Sequence, residues 1–539
     1  MPSFRSTTLA VGVCAALVVG ACSSSKSSSS GSSSSSTSGT SSGVTAPAVV
    51  NIGYNADMQV PDPDIFYEVE GNSVVTSVYE GLVRYKPNST QIEPALAQSY
   101  SVSADGLTYT FQLRPNVKFH DGTTMTSNDV KASFQRRTAL GSVSAPGYML
   151  ADVTSYDTPD PLTFVIHLKD PVAPFYDYLA APYSPKVSSS ALLAAHAGSD
   201  MDQSWLKTHD AGTGPFTMTE FVPGDHYTLS AFPDYWSGKA AITQIHISIL
   251  PDVSTQQLKL QSGELQMILH GLSKDDLASY EKNSKFQVQR FPALFKSWLM
   301  VNENKGVFKD QALRLALAQA IDKQAIVDQV YGNDATVSTQ YYPVGELPTG
   351  MATDTPKHDP SVLAGLVKSL PNKKVDLAYS SDDARNQRDA ELVQTELQAA
   401  GFNATVRPIP IAQVFDLPNH ADQAPDILLS TVNPDAAHPD TWARIFSHTH
   451  NSSDGSLNWL LCSSPAADAA MDSGVHLTDP AAIQTAYGKA GDALVSSGCF
   501  IGIADVKDVV VAQAGYSNWI HQLPSVFTVR FGDLKLSGS

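Results

Sequence analysis

A polar turn follows an apolar run near residue 432, and its residue types can bind a charged ligand. The segment from Ser430 to Trp442 reads STVNPDAAHPDTW, so Asn433 and Asp435 come directly after the strand-like residues that end at Val432. Open α/β sheets bind ligands beyond the carboxyl ends of their strands, and a carboxylate placed there can pair with a cationic group. An Asn-Pro-Asp sequence is also typical of a turn in which the aspartate caps the backbone. Residue types alone leave both roles for Asp435 open.

Histidines near this turn raise the alternative of a metal site. They are His420, His438, His448 and His450. Histidines in polar loops are more often solvated surface residues than ligands, so we expect no metal site. The sequence also lacks the motifs HExxH, GxGxxG, GxxxxGK[ST] and CxxC, which position zinc, dinucleotides, phosphates and redox thiols. We therefore predict no catalytic residues, no cofactor and no enzymatic activity.

The start of the chain has the pattern of a lipoprotein signal peptide. Arg5 supplies a positive charge, an apolar run extends from Leu9 to Val19, and small residues precede Cys22. About 11 residues reach only about 16 Å as a helix, whereas a transmembrane anchor must cross a core of about 30 Å. We therefore predict a signal peptide over residues 1–21 and lipidation of Cys22.

The stretch that follows predicts a flexible tether over residues 22–47. It is dominated by serine, with a few Gly and Thr residues and a single Lys26. Such a composition has nothing to bury and behaves as a random coil. We expect the lipid to hold the protein at the cell membrane, facing the extracytoplasmic side, which is periplasmic or extracellular.

The remaining chain is globular and too long for one hydrophobic core. Of the 539 residues of the full sequence, 42% are hydrophobic and 16% are charged, which is a globular composition. The length that remains after residue 47 indicates two or more lobes. The net charge of −18 argues against a nucleic-acid partner or an anionic membrane surface, since both require basic patches. No later run of apolar residues is long enough to predict a membrane-spanning helix.

Two cysteines are left for the folded part of the protein. Cys14 leaves with the signal peptide and Cys22 is lipidated, so Cys462 and Cys499 remain in an oxidising compartment. We predict a disulfide between them; the alternative is a pair of buried free thiols.

Hydrophobic periodicity places several elements. Alternation predicts strands over residues 107–113, 163–168 and 245–250. Helical spacing over residues 313–331 predicts one helix that Gly332 ends. A βαβ unit follows, with a strand at 375–379, a helix at 390–400, a strand at 402–409 and an apolar run at 426–432.

Five segments resemble one protein family in the order that the family has them. Residues 92–130, IEPALAQSYSVSADGLTYTFQLRPNVKFHDGTTMTSNDV, resemble the most characteristic stretch of the family 5 extracellular solute-binding proteins, the dipeptide- and oligopeptide-binding class of ABC importers. The others are VYEGLVRY (78–85), GTGPF (212–216), LKLQSGELQMI (258–268) and RLALAQAIDKQAIVDQVYG (314–332). Gln266 departs from this pattern, because the family usually has an aspartate there.

The resemblance implies a fold and a domain order. The fold class is α/β, a two-lobed type II periplasmic-binding-protein fold with an extra domain inserted in the first lobe and a hinged ligand cleft. Domain I is expected over 48–81, 210–290 and 507–539, domain II over 82–209 and domain III over 291–506.

The resemblance also assigns ligand-binding roles. Peptide-binding members place an aspartate four residues before a proline, where it pairs with the peptide's terminal ammonium, and Asp435 and Pro439 have this spacing. His438 stands where the family often has an acidic residue. The resemblance places Gly71 and Asn72 on the opposite side of the cleft. From the residues themselves, we expect Thr431, Val432 and Asn433 to pair with the peptide main chain by strand addition. Trp442 has two open roles, a pocket wall or a core residue, and we expect the pocket wall.

We therefore expect a monomeric lipoprotein that captures oligopeptides and delivers them to the permease subunits of an ABC transporter. Its contact with the membrane is through the lipid. Two alternatives stay open, namely the same fold carrying haem, a metal chelate or a sugar, and, with less support, a secreted hydrolase.

Overall fold

The computed structural model describes residues 48–58, 60–141, 146–346, 356–449 and 457–537. The predicted signal peptide, Cys22 and the tether lie outside these residues. The strands are β1 (Val49–Tyr54), β2 (Val83–Tyr85), β3 (Ile92–Pro94), β4 (Ala97–Val102), β5 (Thr108–Leu113), β6 (Val153–Asp160), β7 (Thr163–Leu168), β8 (Phe216–Val222), β9 (His226–Ala231), β10 (Gln244–Ile249), β11 (Met267–Ile268), β12 (Phe286–Val301), β13 (Ala335–Val337), β14 (Lys374–Ser380), β15 (Asn403–Ile409), β16 (Ile427–Val432), β17 (Phe500–Gln513), β18 (Tyr516–Ser517) and β19 (Lys535–Leu536).

Helices connect and cover these strands. They are α1 (Asn72–Val78), α2 (Ser127–Leu140), α3 (Phe175–Ala180), α4 (Ser190–His196), α5 (Val253–Ser262), α6 (Lys274–Glu281), α7 (Gln311–Ala320), α8 (Lys323–Ile326), α9 (Pro360–Val367), α10 (Ala384–Ala399), α11 (Ile411–Asp416), α12 (Pro439–Ser447), α13 (Pro465–Gly474) and α14 (Pro480–Ser497).

Two long strands hold the main sheet together. The order in this sheet is β15-β14-β16-β12-β17-β11-β1-β10-β9-β8, and β13 also pairs with β17. The strands β12 and β17 run antiparallel to each other from Phe286 and Gln513 to Met300 and Phe500. One end of the sheet therefore carries β14 to β16 and the other carries β1 and β8 to β11. The expected limits of domain III, residues 291 and 506, fall inside these crossing strands and stay a prediction.

The side chains of β12 show why both faces of this sheet must be covered. Successive residues of a strand point to opposite faces. Trp298 and Met300 accordingly pack in one core cluster, and Leu299 and Val301 pack in another. A strand that is buried on both faces is apolar at most of its positions, because neither face meets solvent. The near-continuous apolar run at the end of β12 follows from this placement.

A separate antiparallel sheet, β4-β5-β7-β6, lies within the residues expected for domain II. Its strand β7 alternates half-buried and buried positions, with Phe164 and Ile166 in the core. The helix α2 packs on this sheet through Phe134, whose ring meets Phe164 at 5.4 Å between centroids. The strands predicted from alternation, β5, β7 and β10, are confirmed within one residue at each end.

The predicted βαβ unit is confirmed, with a longer helix. The strand β14 pairs in parallel with both β15 and β16, and α10 begins at Ala384 rather than at residue 390. The single helix predicted over residues 313–331 is wrong, because α7 ends at Ala320. The Asp322 carboxylate accepts a hydrogen bond from the Ala325 N–H at 2.9 Å, so it caps a new helix, as aspartate favours.

The predicted disulfide is present between Cys462 and Cys499. It ties the segment before α13 to the start of β17, across 37 residues of sequence. Closing a loop of this length in the unfolded chain contributes roughly 3 to 4 kcal/mol in the chain-entropy model. Among the described helices, none is both long enough and apolar enough to cross a membrane.

Candidate ligand-binding site

The end of β16 leaves a stretch of backbone with a neighbour on one side only. The ladder to β12 continues to Val432, whereas the ladder to β14 stops at Leu429. In the described part of the chain, residues 430–432 therefore have no strand partner on the β14 side. An extended peptide can add to such an edge through main-chain hydrogen bonds.

Asp435 lies in the turn beyond this edge and is held by two tyrosines. Its side chain is buried, with the residue 8% exposed. The Tyr67 hydroxyl donates to Asp435 Oδ2 at 2.6 Å, and the Tyr148 hydroxyl donates to the same oxygen at 2.5 Å. The three residues come from the sequence ranges expected for domains III, I and II respectively. The turn is thus where all three ranges meet.

The electrostatics of Asp435 are those of a carboxyl that lacks a counter-charge. Burial raises the pKa of Asp435 above its ordinary value, and the hydrogen bonds from Tyr148 and Tyr67 act in the opposite direction. The described residues place no cationic side chain in an ion pair with it. Because an ionised buried carboxylate needs a partner, this site is suited to receive a cationic group.

Edge-on aromatic contacts fix the two phenols. The ring of Tyr67 meets Tyr183 at 5.0 Å, and the ring of Tyr148 meets Tyr178 at 5.5 Å. Sequence reasoning missed all four tyrosines. Tyr67 and Tyr148 are 368 and 287 residues from Asp435 along the chain, and neither belongs to a spacing pattern that predicts the contact.

The neighbouring polar side chains are already engaged within the protein. The Thr431 hydroxyl donates to Asn386 Oδ1 at 2.7 Å, and Asn433 Nδ2 donates to the Pro524 carbonyl at 3.3 Å. Val432 is half-buried and packs against the cluster that contains Trp298. For residues 431–433, the groups left for a ligand are therefore those of the main chain.

Gly71 and Asn72 lie on the same loop as Tyr67, but no hydrogen bond joins them to Asp435. Gly71 has a φ of 86°, and a Cβ there would lie 2.7 Å from the Cβ of Met58, so glycine is required. Asn72 is 2% exposed, and its Oδ1 has no hydrogen-bond partner. The expected ligand contacts of Gly71 and Asn72 stay a prediction.

Trp442 lies in the core and not at a pocket wall. The indole on α12 has 0% exposure and packs 4.7 Å from Trp298 and 4.8 Å from Phe446, between ring centroids. The expected wall role therefore differs from the placement seen here, because neighbouring aromatic residues cover the ring.

The histidines are used locally. His438 Nδ1 accepts a hydrogen bond from the Asp440 N–H at the start of α12, and burial lowers the pKa of His438 to about 4. His448 pairs with Asp472, and His450 lies outside the described residues. One group of three potential metal ligands occurs in the described ranges, Glu303 with Cys462 and Cys499, and its two sulfurs form the disulfide.

Comparison with known proteins identifies the family. The model of the bacterial extracellular solute-binding proteins, family 5 middle region, matches residues 91–454. The probable D,D-dipeptide-binding periplasmic protein DdpA of Escherichia coli K12 is 27% identical over 394 residues, 72% of this chain and 75% of that protein. Heme-binding protein A of Haemophilus influenzae is 33% identical over 293 residues, 50% of this chain and 52% of that protein.

Solved structures show the fold. The periplasmic binding protein DppA of Helicobacter pylori, in complex with the peptide STSA, superposes with a TM-score of 0.78 at 23% identity, covering 91% of this chain and 98% of that one. This likeness confirms the predicted two-lobed type II periplasmic-binding-protein fold. The family match, which spans more than half of the sequence, shows that the chain belongs to the bacterial extracellular solute-binding proteins of family 5.

Proposed function

We propose that this protein captures oligopeptides and delivers them to an ABC permease, with the carboxylate of Asp435 pairing the peptide's terminal ammonium. The observation that carries the proposal is a buried carboxyl group with two phenol donors and no cation of its own. Relatives described as peptide-binding support the same cargo.

The chemistry of the site agrees with a ligand of variable sequence. All peptides share a main chain and a terminal ammonium, so a carrier of many sequences should grip these groups. The one-sided edge at residues 430–432 provides main-chain donors and acceptors. Because the ammonium loses its hydration in a closed cleft, its pairing with Asp435 must be direct.

Calorimetric titration of Asp435→Asn tests the proposal. Removing the charge should weaken the binding of a free peptide by about 2 to 5 kcal/mol, as expected when one partner of a desolvated pair is lost. The N-acetylated form of the same peptide lacks the ammonium, so it should bind the wild type poorly and the variant no worse. Asp376→Asn makes the same chemical change at a half-exposed pair with Arg407, and should leave both affinities unchanged.

The two peptides and two proteins form a double cycle. A large coupling between the ammonium and the carboxylate supports the amine-anchor role. A coupling near zero in a folded variant would reduce Asp435 to a turn residue.

A second cargo has one observation in its favour. Heme-binding protein A is 33% identical over half of this chain, which supports haem as the alternative ligand. Titration with haem, followed by its absorbance, separates the two, because a haem carrier should give a saturable absorbance change that Asp435→Asn leaves intact, whereas a peptide carrier should give none.

We also propose that Cys22 carries a lipid that anchors the protein outside the membrane, since the residues before it have the lipobox pattern. Cys22→Ala should release the protein into the soluble extracytoplasmic fraction. Cell fractionation with intact mass measurement checks this, and a variant that keeps the wild-type mass and stays with the membrane contradicts it.

A further inference from the structure

A cavity with a positively charged lining lies apart from the Asp435 turn. Its volume is ≈160 Å³, and Asp435, Tyr67 and Tyr148 do not line it. One water molecule needs about 15 Å³ of cavity volume on the same scale, so the cavity has room for a small polyatomic ion together with water. The basic residues in its lining are Arg84, Lys186, Lys239, Arg530 and Lys535.

The two acidic residues in the lining make their hydrogen bonds and ion pairs with groups other than Lys186. Glu80 and Asp533 are the two carboxylates in the lining. Asp533 pairs with Arg530 at 2.7 Å, and Arg84 pairs with Glu93 at 2.9 Å. The Glu80 oxygens accept hydrogen bonds at 2.8 to 2.9 Å from Thr213, Tyr235 and Trp236.

Among the described residues, no hydrogen bond or ion pair joins Lys186 to either carboxylate, although the charge of Glu80 acts on it through space. Lys186 is 6% exposed, and its Nζ donates to Ser184 Oγ at 2.8 Å and to the Ala181 carbonyl at 3.3 Å. Both acceptors are neutral, and no ion pair to Lys186 occurs in the described ranges. Burial, with the charge of Arg137, lowers the pKa of Lys186 to about 7, and the charge of Glu80 acts in the opposite direction.

Two features select the kind of ion that could complete this cluster. A buried ammonium is strongly unfavourable without an anion beside it. Arg84 uses its Nε for Glu93, and Arg530 uses one Nη for Asp533, so further guanidinium N–H groups remain. Guanidinium groups match the spaced oxygens of an oxyanion better than a monatomic ion.

We propose that this cavity is a binding site for a small oxyanion of the sulfate, phosphate or carboxylate class, with Lys186 as its innermost contact. The cavity lining has five basic residues and two acidic ones, so its charge is positive, whereas the net charge of the whole protein is −18. Solubility does not require a positive cavity in an acidic protein. The anion supplies a counter-charge in direct contact with Lys186. The site is independent of the peptide contacts at Asp435.

Calorimetric titration with sulfate tests the proposal, because sulfate keeps its charge across the pH range used. The full-length protein is titrated at pH 6 with the ionic strength held constant by chloride. We expect saturable binding of one sulfate per chain, at least tenfold weaker in Lys186→Met and unchanged in Lys282→Met, an exposed lysine outside the cavity. Affinity should fall between pH 6 and pH 8, as Lys186 loses its proton. Equal affinity in Lys186→Met, or no saturable binding by the wild type, overturns the proposal.

A second variant covers the case in which Lys186→Met does not fold. Lys239 is exposed and lines the cavity mouth, so Lys239→Met removes a charge without disturbing the core. It should weaken sulfate binding about threefold or more relative to Lys282→Met, which is the same change elsewhere on the surface. Identical affinities in these two variants would place the sulfate outside the cavity and refute the assignment.

Discussion

Two buried acidic sites in this protein, the pair Asp62 and Asp64 and the single residue Asp435, differ in how their charge is balanced. At the first, Arg136 of α2 donates from Nη1 to Asp62 at 2.8 Å and to Asp64 at 2.7 Å, and from Nη2 to Asp62 at 2.7 Å. At the second, the donors to the Asp435 side chain within the described ranges are the phenols of Tyr67 and Tyr148. The first site carries its own cation and the second does not.

This difference distinguishes charged groups that stabilise the fold from charged groups that are available to bind a ligand. A buried carboxylate that has a guanidinium partner is complete, and its contribution is to hold chain segments together. A buried carboxylate that accepts hydrogen bonds from neutral donors alone would be stabilised further by a nearby cation. Lys186 is the counterpart of Asp435 with the opposite sign, since its acceptors are neutral too. Burial alone therefore does not distinguish the two sites, whereas the presence or absence of a cationic partner does.

Removing Arg136 gives the largest expected effect. Arg136→Met leaves two carboxylates buried without their partner, so we expect it to lower the free energy of unfolding by about 3 to 5 kcal/mol. Urea unfolding measures this change, and peptide affinity under native conditions should stay at the wild-type level. The matched control is Arg84→Met, whose pair with Glu93 is about one-third exposed and should contribute less than about 1 kcal/mol. Equal losses of unfolding free energy in the two variants would show that the buried pairs of Arg136 are no more stabilising than the partly exposed pair of Arg84, and would contradict the prediction.

Local periodicity predicted the scaffold of the site better than its contacts. The strands β14 and β16 follow from runs of apolar residues, and the turn that holds Asp435 follows from the polar residues after Val432. The disulfide of Cys462 with Cys499 was predictable because the expected signal peptide and the expected lipidation of Cys22 leave no other cysteine for the folded part. These features depend on short stretches of chain or on residue counts.

Contacts between distant segments could not be predicted in this way. The hydrogen bonds of Tyr67 and Tyr148 to Asp435 form only after three parts of the chain have packed. The residues next to Trp442 in the sequence would be the same whether its ring faced a ligand or the core. Its place in the core is shown only by the packing of the ring against Trp298. The helix break at Asp322 did have a local signal, because aspartate is a preferred N-cap.

The pH dependence of peptide binding sharpens the comparison further. Burial raises the pKa of Asp435, so its contribution to the stability of the empty protein is present at low pH and is lost as pH rises through that pKa. Binding of an ammonium has the opposite dependence, because it needs the carboxylate form. We expect affinity to fall by up to about tenfold per pH unit below the pKa of Asp435.

At the alkaline end, affinity should decrease above about pH 8, where the peptide's α-amino group loses its proton. Calorimetry between pH 4 and pH 9 measures both limbs. The N-acetylated peptide and Asp435→Asn should each give a flat profile. His438, whose pKa is lowered to about 4, remains in that variant, so an acidic limb that persists there would belong to the histidine and contradict the assignment to Asp435.

The smallest expected effect comes from a single phenol. Tyr148→Phe removes one of the two hydrogen bonds that stabilise the Asp435 carboxylate, so the pKa of Asp435 should rise further and the acidic limb of the binding profile should move to higher pH. At pH 5 the loss of affinity should be about 0.5 to 1.5 kcal/mol, the usual contribution of one hydrogen bond, and it should shrink toward neutral pH. Tyr176→Phe is the matched control, because the Tyr176 hydroxyl is buried without a hydrogen-bond partner. A shift of the acidic limb in Tyr148→Phe but not in Tyr176→Phe identifies the carboxylate as the titrating group. If both variants instead lose the same affinity at every pH, the phenols contribute only packing, and the hydrogen bonds to Asp435 do not tune its charge.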